Sequence, residues 1–279
     1  MDLVAVSPGL DFEPLPMIHE LMARELAPAQ YVDALQRYAR TSPAARHSLL
    51  DLISSGGFRD PRAAMRRFFR EYYHYSRRFT RFLASVMAGL ELPEHRAALV
   101  PNSAEEAGHL DEHHRGELRA AGLDPDDVVG PHPALFRRFL VAIGLEPGEL
   151  DGAAAHVATA AWIQSFQSLC RADEASAVGA LGLATEGIVR GMYHRLLLGI
   201  RRSWPELGSR ERAFFELHAL VDDDHADTLR SIAIELAAAP GQRRALAAGV
   251  LGALDARACF YDQMQLYLVA VDCGEGERQ

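Results

Sequence analysis

Helical spacing governs almost the whole chain. Apolar residues recur three and four positions apart, Ala, Leu, Arg and Glu dominate, and β-branched runs stay short. Pro and Gly stand where one helix should give way to the next: Ser55 to Gly57 before Pro61, Gly122 with Pro125, Gly144 with Pro147, and Pro240 with Gly241. This pattern predicts helices over roughly 14–24, 28–40, 43–55, 61–90, 92–109, 112–121, 132–145, 150–170, 174–202, 209–238 and 241–272. No Gly/Ser-rich or Pro-rich linker divides them. The expectation is an all-α helical bundle over residues 59–279, with an N-terminal helical extension, 1–58, packed on the same domain.

Composition narrows the function classes. With 279 residues, 49% of them hydrophobic, the chain can bury a large core. A net charge of −9 gives no electrostatic case for nucleic acid. No apolar run approaches the ~20 residues that span a bilayer. The N-terminal stretch lacks a basic region followed by a long apolar one, so no signal peptide is expected. Cys170, Cys259 and Cys273 have no CxxC spacing, which suits a reducing, cytoplasmic setting. Every basic residue counted as Lys or Arg is Arg, which excludes a Schiff-base or P-loop lysine.

One helix carries unusual polar residues on its apolar stripe. In "FFELHALVDDDHADTLRSIA" (214–233) the stripe is Phe214, Leu217, Val221, Leu229 and Ile232, and His218, Asp222 and His225 lie along it. Spacing of i, i+4 and i+7 puts all three within about 60° on one helix face. Two imidazoles and a carboxylate suit iron, manganese or zinc. Carboxylates from facing helices would complete a bundle site. Glu186, flanked by apolar residues and Gly, is one; Glu105 or Glu106 in "VPNSAEEAGHLDEHH" is another, and only one of that adjacent pair is expected to face the core. By local spacing alone, His109 would be the histidine that completes the set.

The motifs in order are "NSAEEAG", "HPALFRRFLVAIGL", "LATEGIV" and "HALVDDDH". Over roughly residues 60–270 this set resembles the haem-oxygenase-like di-iron oxidases and oxygenases, whose fold is shared with TenA-type thiaminases. The resemblance implies a haem-oxygenase-like, TenA-like bundle holding two Fe(II) per chain, with O2 as co-substrate and an external reductant. It selects His132, before Pro133, over His109, His113 and His114. The implied ligands are Glu106, His132, Glu186, His218, Asp222 and His225, with Glu105 as the substitute for Glu106. A segment inserted between the Glu and His motifs, 109–131, is associated with the family's N-oxygenating members. Some of those hold an extra carboxylate, for which Glu117 is the candidate.

The expected function is O2-dependent N-oxygenation of a small biosynthetic amine, such as an amino acid, guanidine or amino-heterocycle, in a homodimer. The competing expectations are C–C cleavage or desaturation at the same di-iron site, a metal-free TenA-like hydrolase using Cys170 opposite Glu186, and a non-catalytic iron store. A polar aromatic stretch, "FREYYHYSRR" (69–78), is expected to line the substrate pocket through Tyr72, Tyr73, His74 and Tyr75, joined by Tyr193 and, more weakly, Tyr261.

Overall fold

The computed structural model describes residues 25–220 and 224–274. The predicted helix at 14–24 and the ligand candidate Asp222 lie outside them. The described residues are helical with no strand, as the spacing predicts. None of their helices is long and apolar enough to cross a membrane.

The first described helices are α1 (Pro28–Thr41) and α2 (Ser48–Ser55). The predicted helix 61–90 is two: α3 (Pro61–Ser76) and α4 (Phe79–Gly89). No Pro or Gly marks that break. The Arg78 guanidinium folds back onto the His74 carbonyl and takes it out of the helical ladder. The predicted helix 92–109 is likewise α5 (Pro93–Ala98) and α6 (Val100–Glu106). Then come α7 (Glu112–Ala120), a short 3-10 turn at Pro125–Val128, α8 (His132–Ala142), α9 (Pro147–Gly152) and α10 (Val157–Leu169).

The predicted helix 174–202 is continuous but not uniform. It runs as α11 (Glu174–Val178), a π-helical segment (Gly179–Glu186), and α12 (Gly187–Ser203). The last elements are α13 (Ser209–Leu220), α14 (Asp224–Leu236) and the long α15 (Pro240–Asp272).

The π-helical segment lies at the centre, every residue of it buried, packed against α15 and α14. Glycines permit this. A β-carbon on Gly179 would sit 2.3 Å from the Leu246 carbonyl oxygen, and one on Gly249 would sit 2.0 Å from that of Ser176. Around this crossing, α12 packs on α13 and α2, and α13 packs on α8. An aromatic cluster fills the space between them: Phe136 stacks on Phe214 at 4.7 Å, and Phe69, Phe139 and Phe215 meet edge to face.

Candidate metal centre

The end of α6 and the start of α8 meet backbone to backbone. Gly108, with φ of 92°, turns the chain just after Glu106. A β-carbon on it would lie 2.4 Å from the Gly130 carbonyl carbon. This close approach seats Glu106 beside His132, both buried, with Glu106 Oε1 3.1 Å from His132 Nδ1. The two atoms nevertheless lack hydrogen-bond geometry, and His132 Nδ1 has no hydrogen-bond partner. Two donors converging without bonding each other is what a shared cation would require.

His218 reaches the same point from α13. Its Nδ1–H donates to the Phe214 carbonyl at 2.6 Å, which leaves Nε2 with a free lone pair and fixes the ring. The ring lies 5.0 Å from that of His132 and 4.8 Å from that of Tyr193. One donor atom from each of Glu106, His132 and His218 lies within 4.8 Å of the others. Burial, with His132 close by, pushes the His218 imidazole down to about 4, so it is in the neutral, ligating form at neutral pH. Burial alone would raise the Glu106 carboxyl. His132, then His218 and His225, more than offset that and hold it below the ordinary carboxylate value.

A second group lies alongside. Glu105 accepts from His225 Nε2 at 2.8 Å and meets His114 Nε2 at 3.3 Å. His114 is held in turn by Asp111, whose Oδ1 is 2.7 Å from its Nδ1. Burial works against the Glu105 charge, but the hydrogen bond and charge of His225 outweigh it and bring the carboxyl down to about 2. Glu105 and Glu106 both line one cavity, along with His114, His132, Glu186, His218 and His225. The expectation that only one glutamate faces the core is therefore corrected. The cavity meets the C-terminal end of α6, where consecutive side chains flank it from two sides. A second crevice, reaching Asn102, Asp227 and Ser231, shares Glu105, His114 and His225 with this cavity.

Glu186 closes the π-helical segment and joins the cavity wall. A π-helical turn widens the backbone spiral and re-aims the side chains at its end, a feature concentrated at functional sites. The apolar run around Glu186 hides this in the sequence.

Other expected positions fall elsewhere. His109 is exposed. Glu117 pairs with the exposed His113 at 3.4 Å and does not line the cavity, because its position on α7 turns it along that helix. Of the aromatic stretch, Tyr72, Tyr75 and Ser76 line the cavity with Phe79, an i, i+3, i+4, i+7 stripe. Tyr73 and His74 are rotated off it: Tyr73 packs on Phe136 and under Arg77, and His74 Nδ1 meets Arg77 at 3.2 Å. Tyr193 lines the cavity, whereas Tyr261 packs on His47 and Phe68. Cys170 caps the end of α10 outside the cavity, and burial pushes its thiol up to about 12, so it has no nucleophile's environment.

Among the polar cavity residues outside the expected set are His114, Thr185 and Arg257. The motif order favours His132 over His114, yet the i, i+3 pair Asp111–His114 makes His114 an oriented imidazole. Thr185 stands beside Glu186. Arg257 lies on the apolar stripe of α15, between Leu254 and Phe260, where an arginine ordinarily reads as a surface residue.

The model of a family described as iron-containing redox enzyme matches residues 66–258. Solved structures share the fold at low identity. A domain with a heme oxygenase-like fold from Shewanella denitrificans OS217 is 19% identical, covering 90% of this chain and 95% of its own, with a TM-score of 0.63. A CadD-like protein from Nostoc punctiforme PCC 73102 is 16% identical, covering 86% and 98%, with a TM-score of 0.64. A TenA homolog from Pseudomonas syringae pv. tomato str. DC3000 is 15% identical, covering 91% and 97%, with a TM-score of 0.65. No curated protein matches the chain significantly in sequence.

Proposed function

The chain belongs to the iron-containing redox enzyme family, and on that premise we propose that it is a non-haem di-iron oxygenase acting on the nitrogen of a small amine. The product would be an N-hydroxy, nitroso or nitro compound. The observation that carries this reading is the pairing of two ligand groups on one cavity: Glu106, His132 and His218 within 4.8 Å, and Glu105 with His225 beside them.

One Fe(II) would be held by Glu106, His132 and His218, and the other by His225 with Glu105 and Glu186. Asp222 joins them on the strength of its motif alone. Hard carboxylates and neutral imidazoles form the donor set that suits iron. Bound there, two ferrous ions would supply electrons for O2 reduction, the remainder coming from an external reductant.

The chain's own residues do the positioning. The Phe214 carbonyl keeps His218 Nε2 turned toward the cavity. Phe214, Tyr72 and Tyr193 wall the site against bulk water. His114, held by Asp111, stands against Glu105 and can orient that carboxylate or hold a proton beside it. What favours nitrogen over carbon is the segment 109–131: it carries Asp111 and His114 to Glu105, where the resemblance associates such an insertion with N-oxygenation.

Incubating ferrous protein with 18O2, a reductant and candidate amines tests the reading. The expected product carries labelled oxygen on nitrogen with its carbon skeleton intact. Label found only in water, with released CO2 or a shortened chain, would replace N-oxygenation by the C–C cleaving reaction. Iron uptake with no amine-dependent O2 consumption would make the protein an iron store.

A further inference from the structure

Arg257 is 1% exposed, yet it lines the cavity that holds Glu106, His132 and His218. Burying a guanidinium without a counter-charge is costly, and buried charges are ordinarily paired. Among the described residues no carboxylate pairs with Arg257. Its neighbours are neutral. Nη2 donates to Thr185 Oγ1 at 3.2 Å, Nη1 lies 3.8 Å from the Met192 thioether, and the guanidinium sits over the rings of Trp162 at 5.2 Å and Tyr75 at 5.6 Å. The Thr185 hydroxyl, the weak Met192 sulfur acceptor and the nearby Tyr261 hydroxyl occupy only part of a group with five N–H donors.

A second unsatisfied group stands on the same wall. The Tyr75 hydroxyl is buried beside Thr185 but makes no well-formed hydrogen bond. Its ring is locked against Trp162, with centroids 3.7 Å apart and planes 9° apart, and Trp162 stacks on Phe260 at 4.4 Å. A desolvated cation and a buried hydroxyl thus line the same cavity as the carboxylates of Glu105, Glu106 and Glu186. A planar anion with two oxygens would complete both groups, through the paired N–H···O bonds at which guanidinium excels.

We infer that the cavity binds a carboxylate against Arg257 and the Tyr75 hydroxyl, so that the substrate is an amino carboxylic acid. That its amine faces the metal ligands rests on the function proposed above. That its carboxylate meets Arg257 does not, and the two are tested separately.

Benzoate and 6-aminohexanoate, titrated calorimetrically into the full-length protein, serve as probes, with benzamide and hexylamine as counterparts that lack the carboxylate. Both carboxylates should bind saturably and neither counterpart should. Arg257→Gln should weaken the carboxylates at least tenfold, with Arg257→Lys between it and the wild type. The lysine variant keeps the test decisive should the glutamine variant not fold. His132→Ala should retain the binding. Failure of both carboxylates to bind the wild type, equal binding to Arg257→Gln, or equal binding to Arg257→Lys should the glutamine variant not fold, would overturn the inference. Loss in His132→Ala with retention in the Arg257 variants would put the carboxylate on the metal and overturn it too. Iron content should be unchanged in Arg257→Lys. Carboxylate binding by a protein that takes up no iron would leave this inference standing and sink the metal reading.

Discussion

His132→Ala is expected to lose most of its iron and more than about 100-fold in turnover, beyond the 10–100-fold that removing an outer-shell partner of a metal site costs. The reason is geometric. His132 is buried at the start of α8, with Nδ1 3.1 Å from Glu106 Oε1 and without a hydrogen bond of its own. The close approach of Gly108 to Gly130 is what seats His132 beside Glu106. His109→Ala, on an exposed side chain, should match the wild type in iron content and rate. His114→Ala should fall between them, at about tenfold, since His114 touches Glu105 rather than the Glu106 group. Metal analysis and O2-uptake rates on the three variants check the order. A dead His109→Ala beside an active His132→Ala would show the histidine to be misassigned.

Gly249→Ala should destabilise the protein, although helix propensity alone argues the opposite. In a helix interior, alanine is favoured over glycine by about 0.8–1 kcal/mol. At Gly249 the added carbon would stand 2.0 Å from the backbone carbonyl of Ser176, which no side-chain rotation relieves. The helices α11 and α15 would have to separate, at a cost toward the upper end of the ~1–3 kcal/mol typical of overpacking. For a chain of this size that corresponds to a fall in Tm of roughly 5–10 °C. Gly191→Ala is the matched control: it lies on the exposed side of α12 with nothing within 4 Å, and should raise Tm slightly. Thermal unfolding followed by circular dichroism measures both. A stabilised Gly249→Ala would mean that the crossing beneath the π-helical segment is looser than described.

That several of the residues lining the cavity stand out in the sequence has a chemical reason. His218 and His225 interrupt an apolar stripe, and an imidazole on such a stripe needs a purpose. Their order after "NSAEEAG" and "HPALF" carried the rest, including the choice of His132 over the nearer His109. What was not legible depends on tertiary structure. The break between Ser76 and Phe79 is made by Arg78 bonding back to His74, with no Pro or Gly to announce it. The π-helical segment before Glu186 runs through Gly, Ala and Leu, whose apolar run looks the same at either helical period. Adjacent positions such as Glu105 and Glu106 exclude each other on the side of a helix, but the cavity meets a helix end and takes both. Arg257 and His114 do not stand out in the sequence because an arginine on a long helix and a histidine among polar residues are ordinarily solvated; their partners lie 72 residues away at Thr185 and 9 residues away at Glu105.

Anaerobic loading of the full-length protein with ferrous iron, followed by metal analysis after removal of the excess, tests the central claim most directly. About two irons per chain are expected, falling to one or none when Glu106, His132 and His218 are all replaced by alanine. A wild-type protein that retains no iron, or a triple variant that retains all of it, would contradict a metal centre built on these residues.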